Sequence, residues 1–323
     1  MQNTPLVTII CLSFNHAPFI EDALASIAHQ TYQNIETIII DDGSTDQSVN
    51  KITTSLQKYN LQAKFIALPQ NIGNCKAFNI GLIEAKGKYI IDFAADDLLL
   101  KDRVKDDVSV LETKEKSYGA VFSDVVSINE QGQLLTSSYF KRNSDGVLLE
   151  EVKEGDVYER ILRNPPLFGA PSITFRTSTL KELGGYDETL AYEDYDIWIR
   201  LSRNHQFAFY DKVNTYKRKV KSSLSQNFYK RRGNELLKST FKICLKARQL
   251  NQNKAEDQSL SKSIAYHQRL AYYTENFYRS KTYFFLLRKM KNPTFQDYVF
   301  FYFSKMRLKV FPIYQYYLKY IQR

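Results

Sequence analysis

The chain has 323 residues and a formal net charge of +10, a length that suits one large domain with an appendage. No run of residues approaches the roughly 18 consecutive apolar residues that a membrane-spanning helix needs, which argues against an integral membrane protein of that type. The three cysteines, Cys11, Cys75 and Cys244, have no metal-ligand spacing. Their odd number favours a reducing compartment over a disulfide framework.

Charged and aromatic residues are unevenly distributed along the chain. Residues 1–225 hold 25 Lys and Arg against 30 Asp and Glu, whereas residues 226–323 hold 20 against 5 and carry 22 of the 44 Tyr and Phe. We therefore divide the chain into a first domain, residues 1–225, and a basic, aromatic-rich region, residues 226–323. Such a region suits anionic lipid headgroups and is a candidate for membrane association, although a soluble helical cap with an aromatic core is the alternative.

The first 130 residues alternate short apolar runs with amphipathic segments, which is typical of βαβ units and predicts a largely parallel sheet. The predicted strands are Val7–Leu12, Ile35–Ile40, Phe65–Leu68, Tyr89–Phe93 and Ala120–Ile128. The predicted helices are Phe19–His29, Thr45–Tyr59, Cys75–Ala85 and Arg103–Glu115. Ser44 or Thr45 is available as the N-cap of the second of these helices.

Regular periodicity weakens after residue 128. Turn residues between Asn129 and Asp156 predict short strands or a loop. Helices are predicted at Ser178–Leu183 and from Glu193 to about Ser202, and the region beyond Gln226 is predicted to be helical. The first strand begins without a cationic segment ahead of an apolar one, so we expect no signal peptide and a cytoplasmic location.

The pair Asp41-Asp42 follows a predicted strand and precedes a glycine and two hydroxyl residues. Acidic residues at strand ends of Rossmann-like folds accept hydrogen bonds from a nucleotide base or ribose. A capped strand-to-helix turn is the alternative interpretation, because short acidic turn motifs are common.

A second pair, Asp96-Asp97, lies between two apolar segments. Because adjacent carboxylates repel each other, a bound cation helps to explain the pair, and Mg²⁺ or Mn²⁺ takes one or two carboxylates together with substrate phosphates. An exposed acidic turn is the alternative.

The third pair, Glu193-Asp194, is placed at a predicted helix start. Acidic residues are favoured there by the helix dipole whatever their function. The functional alternative is a general base that takes a proton from an attacking hydroxyl. Trp198 follows one turn later and is expected to be a core residue, with an acceptor-site floor as the alternative.

Taken in order and spacing, the motifs of about residues 5–225 resemble the family 2 glycosyltransferases of the GT-A fold. The segments that carry the resemblance are Val7 to Asn15, Ser26 to Tyr32, Ile38 to Asp46, Asn71 to Gly81, Asp96-Asp97, and Gly184 to Trp198. The resemblance implies an α/β GT-A fold, with a mostly parallel Rossmann-like sheet flanked by helices and here followed by a C-terminal helical appendage.

The resemblance also implies roles for individual residues. Ser13, Phe14 and Asn15 match the signature beside the donor base, and Asp42 matches the position that contacts uracil. Lys76 matches the basic position near the diphosphate. Asp96 and Asp97 match the metal-binding motif, with Asp97 as the principal ligand of Mg²⁺ or Mn²⁺. Glu193 and Asp194 match the catalytic segment, with Asp194 as the base.

Two positions depart from the family pattern. Ala94 stands where relatives often have a further acid, so metal binding must depend on Asp96 and Asp97. Lys219 stands where many relatives have a histidine that reaches the metal or diphosphate, which puts that contact in doubt. A lysine can instead contact phosphate as a point charge.

Together these features predict an inverting glycosyltransferase that moves a sugar from a nucleotide-diphosphate donor, most simply a UDP-sugar, to an acceptor hydroxyl. The expected acceptor is a glycan or a lipid-linked glycan in cell-surface polysaccharide synthesis, with the protein peripheral on the inner face of the cytoplasmic membrane. A catalytically inactive glycan-binding scaffold is one alternative. A nucleic-acid-binding protein is another, but it leaves the strand-end acids without a role, so we expect no nucleic-acid partner.

Overall fold

The computed structural model of the chain describes residues 4–163, 167–220 and 224–320. The chain divides into two compact units. Unit 1 comprises Met1–Val157, Phe168–Glu188 and Asp196–Val220, and unit 2 comprises Tyr158–Leu167, Thr189–Tyr195 and Lys221–Arg323.

Unit 1 is built on a nine-stranded sheet. Its strands are β1 (Val7–Ser13), β2 (Ile35–Asp41), β3 (Ala63–Ala67), β4 (Tyr89–Ala94), β5 (Leu98–Leu99), β6 (Tyr118–Ile128), β7 (Leu134–Ser138), β8 (Thr174–Arg176) and β9 (Gln206–Arg218). The strand order is β3-β2-β1-β4-β8-β6-β9-β5, and β7 pairs with β6. The pairs β1–β2, β1–β4, β2–β3 and β6–β9 are parallel, whereas β8 is antiparallel to both of its neighbours.

Helices account for much of the remaining described chain. They are α1 (Ile20–Ala28), α2 (Ser48–Lys58), α3 (Asn74–Glu84), α4 (Arg103–Thr113), α5 (Tyr158–Arg163), α6 (Thr177–Glu182), α7 (Asp194–Ser202), α8 (Glu235–Leu250), α9 (Lys254–Tyr273), α10 (Phe277–Arg288), α11 (Phe295–Met306) and α12 (Phe311–Tyr320). Short 3₁₀ turns occupy Ala170–Ser172 and Leu224–Tyr229.

The core of unit 1 follows from its apolar strands. Every residue of β1 is buried, and the isoleucines at 38, 39 and 40 of β2 are at most 1% exposed. Strands of a parallel sheet are covered on both faces, which is why they read as continuous apolar runs rather than alternating ones. Helix α1 completes one face with four buried apolar residues: Ile20, Ala23, Leu24 and Ile27.

The predicted fold class is confirmed: a mostly parallel sheet is flanked by helices, and the C-terminal region is helical. The prediction that Ser44 or Thr45 caps the second helix is wrong. Helix α2 begins at Ser48 after Gln47 and has no side-chain cap. The Ser44 hydroxyl instead donates to Asp41 Oδ2 at 2.6 Å, because the strand-end carboxylate is the nearer acceptor.

Strand β9 was not predicted from the sequence. It runs for 13 residues and pairs in parallel with β6, with irregular register near Asp124. Its residues 211–213 are exposed or half-buried and include Asp211 and Lys212, whereas Asn214 and Thr215 are buried. The resulting sequence shows neither a continuous apolar run nor a clean alternation.

Unit 2 has an aromatic and polar core. Tyr283 is fully buried on α10 and donates to the Leu237 carbonyl at 2.8 Å, and the His267 ring of α9 stacks on it at 5.9 Å between centroids. Phe300 of α11 packs on Tyr272 at 5.3 Å. Within the described ranges, no helix is long and apolar enough to cross a membrane.

Candidate active site

The predicted site residues of unit 1 collect at one edge of the sheet. In the parallel register, Ser13 at the end of β1 pairs with Asp41 at the end of β2, and Leu12 pairs with Ala94 at the end of β4. The segments that follow these three strand ends therefore lie side by side. Ligands of open α/β sheets bind at this carboxyl edge.

The turn after β2 uses both carboxylates of the first acidic pair. Asp41 accepts hydrogen bonds from the Ser44 backbone N–H at 2.8 Å and from its hydroxyl. Asp42 accepts from the backbone N–H groups of Ile72 and Gly73, at 2.7 and 3.0 Å, and from the Asn71 side chain at 3.0 Å.

These hydrogen bonds affect both the pKa of Asp42 and its capacity to accept a hydrogen bond from a ligand. Burial raises the pKa of the Asp42 carboxyl, and the two backbone N–H donors oppose that rise. A carboxylate has about four acceptor positions. Three of these acceptor positions take hydrogen bonds from the loop at residues 71–73. Asp42 therefore holds that loop in place and has little acceptor capacity left for a ligand.

Gly43 has a positive φ of 71°. An added Cβ there would lie 2.2 Å from the Gln70 carbonyl carbon, so only glycine allows the loop to pass so close to the turn.

The segment after β1 joins this turn. Asn15 has a left-handed φ of 55°, its backbone N–H donates to Ser44 Oγ at 2.8 Å, and its side-chain oxygen accepts from the Thr45 N–H at 2.9 Å. Phe14 is 42% exposed beside it. Asn15 therefore ties the two strand ends together, and Phe14 is left as a ring available to a ligand.

The second acidic pair follows β4. Asp97 is 3% exposed and Oδ1 accepts from the Arg218 backbone N–H at 2.8 Å. Burial raises the pKa of the Asp97 carboxyl well above its usual range, and the neighbouring Asp96 carboxylate raises it further, while Lys217 and Arg218 oppose the rise. A cation bound at this pair would therefore stabilise the charged form of the Asp97 carboxyl.

Arg218 is a positioning residue that the sequence prediction missed. Its side chain is buried, with Nε donating to the Asp96 carbonyl at 2.9 Å and one terminal nitrogen lying 3.1 Å from Asp22 Oδ2. The guanidinium also lies 4.9 Å from the centre of the Phe19 ring. Arg218 follows directly after Lys217, the cation that acts most strongly on Asp97, whereas the predicted phosphate contact, Lys219, is exposed.

Two buried polar atoms at this edge have no hydrogen-bond partner among the described residues: Ser13 Oγ and His16 Nδ1. The other ring nitrogen of His16, Nε2, lies 4.0 Å from Asp96 Oδ2. Buried polar atoms are nearly always paired, so unpaired ones beside a carboxylate pair indicate a place for a bound group. A lone histidine carries no spacing signal, which is why the sequence did not reveal His16.

The donor chemistry at Asp96 and Asp97 fits Mg²⁺ or Mn²⁺, because both supply hard carboxylate oxygens. In the part of the chain that the structure describes, no group of three or more His, Cys, Asp and Glu side chains is placed to hold a metal ion. Two carboxylates completed by phosphate oxygens and water are nevertheless a usual Mg²⁺ arrangement. The residues therefore fit a cation held jointly with a diphosphate.

Helix α3 carries the predicted phosphate contact. Lys76 is exposed on its first turn, after Gly73 with a φ of 93°. The first turn contains no acidic residue and no side-chain cap, so its backbone N–H groups and Lys76 share one electropositive end.

The segment at residues 184–188 is anchored on α3 and β4. Asn79 accepts from the Tyr186 backbone N–H and donates to the Tyr186 carbonyl, each at 2.9 Å. The Tyr186 ring stacks on Phe78 at 4.1 Å, and its hydroxyl donates to Asp92 Oδ2 at 2.7 Å. This segment leads towards the predicted catalytic pair.

Glu193 and Asp194 are half-buried at the start of α7. Both belong to unit 2, while α7 continues into unit 1 from Asp196. The i,i+4 pair of Asp196 and Arg200, 2.7 Å between Oδ2 and Nε, fixes the following turn. The role of Asp194 as a base stays a prediction. Trp198 is 2% exposed and packs on Phe168 at 4.5 Å, so it is a core residue, as expected.

The comparison with family models gives a match to "Glycosyl transferase family 2" over residues 8–164. Residues 8–164 therefore resemble a glycosyltransferase family 2 domain. The match covers the three strand ends and both acidic pairs of unit 1.

Curated relatives agree with this family. A glycosyltransferase of Haemophilus influenzae is 29% identical over 241 residues, which cover 74% of this chain and 72% of that protein. A glycosyltransferase of Rickettsia typhi is 30% identical over 209 residues, covering 62% of this chain and 61% of the relative. The family match and these relatives identify the chain as a glycosyltransferase.

Solved structures show the same fold at low identity. S. aureus TarS, residues 1–349, in complex with UDP-GlcNAc, is 18% identical with a TM-score of 0.69, covering 96% of this chain and 89% of that one. The mannosyltransferase PcManGT from Pyrobaculum calidifontis, in complex with GDP-Man and Mn²⁺, is 15% identical with a TM-score of 0.60, covering 98% and 89%. These likenesses establish a GT-A glycosyltransferase fold.

Proposed function

We propose that the chain transfers a sugar from a nucleotide-diphosphate donor, a UDP-sugar in the first instance, to an acceptor hydroxyl with inversion. The observation that carries the proposal is the convergence of Ser13 to Asn15, Asp41-Asp42 and Asp96-Asp97 at the carboxyl edge of three parallel strands in a family 2 domain. The structural neighbours that contain UDP-GlcNAc and GDP-Man support a nucleotide-sugar donor.

The chain's own residues divide the work of binding. Phe14 stacks on the donor base, and Asp42 accepts a hydrogen bond from it with the acceptor capacity that the 71–73 loop leaves. Lys76 and the first turn of α3 bind phosphate oxygens. Asp97 and Asp96 hold Mg²⁺ or Mn²⁺, which supplies charge neutralisation for the leaving diphosphate.

Asp194 removes the proton of the acceptor hydroxyl, with Glu193 beside it. A carboxylate suits this role because it is ionised at neutral pH and an attacking hydroxyl needs a proton acceptor only as the new bond forms. A single displacement with one base on the acceptor side gives inversion.

Calorimetric titration of UDP, GDP and dTDP, each with and without Mn²⁺, tests the donor site. One nucleotide should bind more tightly with Mn²⁺, and Asp97→Ala should remove that gain. Asp145→Ala, at an exposed loop aspartate of unit 1, serves as the matched control and should bind like the wild type. If no nucleotide binds, the inactive glycan-binding scaffold becomes the better interpretation, consistent with Ala94.

We further propose that the protein is cytoplasmic and acts at an anionic membrane surface on a lipid-linked glycan of a surface polysaccharide. Helix α12 has no buried residue, and Ile313, Tyr316 and Tyr320 are 72%, 61% and 54% exposed. Aromatic and basic side chains together favour an interfacial location, with about 1 kcal/mol for each Lys or Arg near the surface.

Flotation with phosphatidylglycerol vesicles tests this location. Ile313→Asp should reduce the floating fraction severalfold, because it places a negative charge at the membrane face. Ile83→Asp changes an equally exposed isoleucine of unit 1, 79% exposed on α3, and should float like the wild type. Equal flotation of both variants and the wild type would contradict membrane binding through α12.

A further inference from the structure

A cavity of about 690 Å³ in unit 2 is outside the proposed transferase site. Its lining includes six cationic side chains: Arg232, Lys238, Arg279, Lys281, Arg307 and Lys309. The lining contains two acidic residues, Glu235 and Glu275. The walls therefore carry a strong excess of positive charge, which raises the local concentration of anions.

The two acids do not neutralise this excess. Glu275 is 3% exposed and is paired with Arg231 and Arg232, with one nitrogen of each 2.9 Å from Oε2. Glu235 is paired with Lys238 at 3.0 Å.

Four cations of the lining have no carboxylate within 4 Å among the described residues: Arg279, Lys281, Arg307 and Lys309. Four cations without a carboxylate partner around one cavity repel one another, so an anion placed among them is stabilised.

The backbone adds donors to the same cavity. Phe277, Tyr278 and Arg279 line it from the first turn of α10, a helix of 12 residues. That turn has no acidic residue, and Asn276 before it makes no side-chain cap bond. The first N–H groups of a helix have no partner within the helix and bind anions such as phosphate.

Helix ends with left-handed residues form part of the cavity wall. Five non-glycine residues of the described chain have left-handed φ angles, and three of them, Arg232, Glu275 and Arg307, line this cavity. Arg307 and Glu275 take this conformation at the C-terminal ends of α11 and α9, where left-handed residues commonly end helices, so these helix ends shape the cavity wall. Tyr278 is 71% exposed at the rim, and the Arg279 guanidinium lies between aromatic rings, 5.8 Å from the centre of Tyr278 and 5.3 Å from that of Phe241.

We propose that this cavity binds a phosphate ester, with the phosphate oxygens held by Arg279, Lys281, Arg307 and Lys309 and by the first turn of α10. Arginine and lysine are the usual ligands of phosphate, and hydrogen bonds between charged partners are about twice as strong as neutral ones. The same chemistry is offered by a soluble phosphate ester and by the headgroup of an acidic phospholipid.

The test uses the full chain and three probes: inorganic phosphate, glycerol 3-phosphate, and vesicles of phosphatidylglycerol compared with phosphatidylcholine. Lys281→Gln/Lys309→Gln removes two cavity charges. Lys254→Gln/Lys262→Gln removes two exposed charges from α9, outside the cavity, and is the matched control. The cavity double variant should bind the effective probe at least tenfold more weakly, and the control should stay within twofold of the wild type.

The probes separate the two sources. Calorimetric binding of glycerol 3-phosphate supports a soluble ester, and binding to phosphatidylglycerol vesicles alone supports a lipid headgroup. Equal weakening in both double variants would show diffuse attraction of the basic surface and overturn the proposal, as would the absence of binding to all probes. Asp97→Ala should leave this binding intact, so failure of the nucleotide titration and failure of the cavity site are distinguishable.

Discussion

The helices of the two units begin in different ways. In unit 1, α1, α2, α3 and α4 have no side-chain cap at their first turn. In unit 2, the side chains of Asn234, Asn253 and Thr294 accept from the backbone N–H groups of α8, α9 and α11. At the sheet edge, polar side chains of the strand-to-helix loops bind one another and build a site, whereas in the helical unit they complete the helices.

One helix of unit 2, α10, differs from the capped helices α8, α9 and α11. Helix α10 of unit 2 is uncapped, as is α3 at the proposed donor site, and the first turn of α10 lines the basic cavity. Both candidate anion sites therefore include an uncapped helix start, and α1, α2 and α4 are uncapped as well. An uncapped first turn suits an anion site because its N–H groups remain available for a ligand.

The two units also differ in what they bury. Unit 1 buries charge: Arg103, fully buried, pairs with Asp107 and donates to the Thr174 hydroxyl at 3.0 Å. Unit 2 buries neutral polar side chains such as His267, Gln268 and Tyr283, and the arginines that pair with its buried Glu275 are themselves exposed. A buried ion pair is rigid because exposing either partner alone is costly. Arg103 also contacts β9 through Thr215, and Thr215 is close in sequence to Arg218.

Replacing Arg103 tests the importance of buried charge in unit 1. Arg103→Met should lower the free energy of unfolding by about 3–5 kcal/mol, because it leaves the Asp107 carboxylate buried without its cation. Burial already raises the pKa of Asp107 despite that cation. Chemical denaturation measures the change. Lys64→Met removes an exposed ion pair with Glu84 and should leave stability near wild type; similar stability of the two variants would refute the argument.

Replacing Asp194 tests whether a helix start can carry catalysis. Asp194→Asn should slow transfer about 10³-fold, equivalent to about 4 kcal/mol, and should leave nucleotide affinity unchanged. Initial rates with saturating donor measure the first effect and calorimetry the second. Glu235→Gln is the control, since Glu235 also begins a helix and should alter only stability. Undiminished transfer in Asp194→Asn would mean that Asp194 serves only the helix dipole.

The fold and part of the site were predictable because their signals are local. Apolar runs specify β1, β2 and β4, and the acids that follow them reach one edge because parallel strands end together. Arg218 was not predictable in its role, since its partners Asp96 and Asp97 lie over a hundred residues earlier in the chain. No spacing rule records a contact that the pairing of β9 creates.

The N-cap error has a related cause. Ser44 has a residue type that fits a cap, but the sequence does not show that Asp41 competes for its hydroxyl. Residues that bind their own turn are lost to the following helix. Sequence propensity therefore predicts that a polar residue belongs at this place, whereas the tertiary contacts decide which group it binds.

The buried His267 of unit 2 gives a pH test. Burial lowers the pKa of His267 from 6.5 to about 4. Between these two pH values His267 is therefore protonated in the unfolded chain and neutral in the folded chain. Stability is therefore complete above pH 6.5 and falls as the pH decreases towards 4, by about 3 kcal/mol in total. Denaturation at several pH values should show a smaller decrease in His267→Gln. His29→Gln, at an exposed histidine, should keep the wild-type profile, and an unchanged profile in His267→Gln would disprove the assignment.

The smallest expected effect concerns the capped helices themselves. Thr294 Oγ1 accepts from the Asp297 N–H while Asp297 Oδ2 accepts from the Thr294 N–H at 2.8 Å, which forms a capping box at α11. Thr294→Ala should cost about 1 kcal/mol, because the first turn loses one partner for its N–H groups. Thr282→Ala lies inside α10 and should be neutral or slightly stabilising, since alanine is the better helix former. Chemical denaturation measures the free energy of unfolding of both variants. Equal stabilities would mean that the helix ends of unit 2 depend on tertiary packing, as those of unit 1 do.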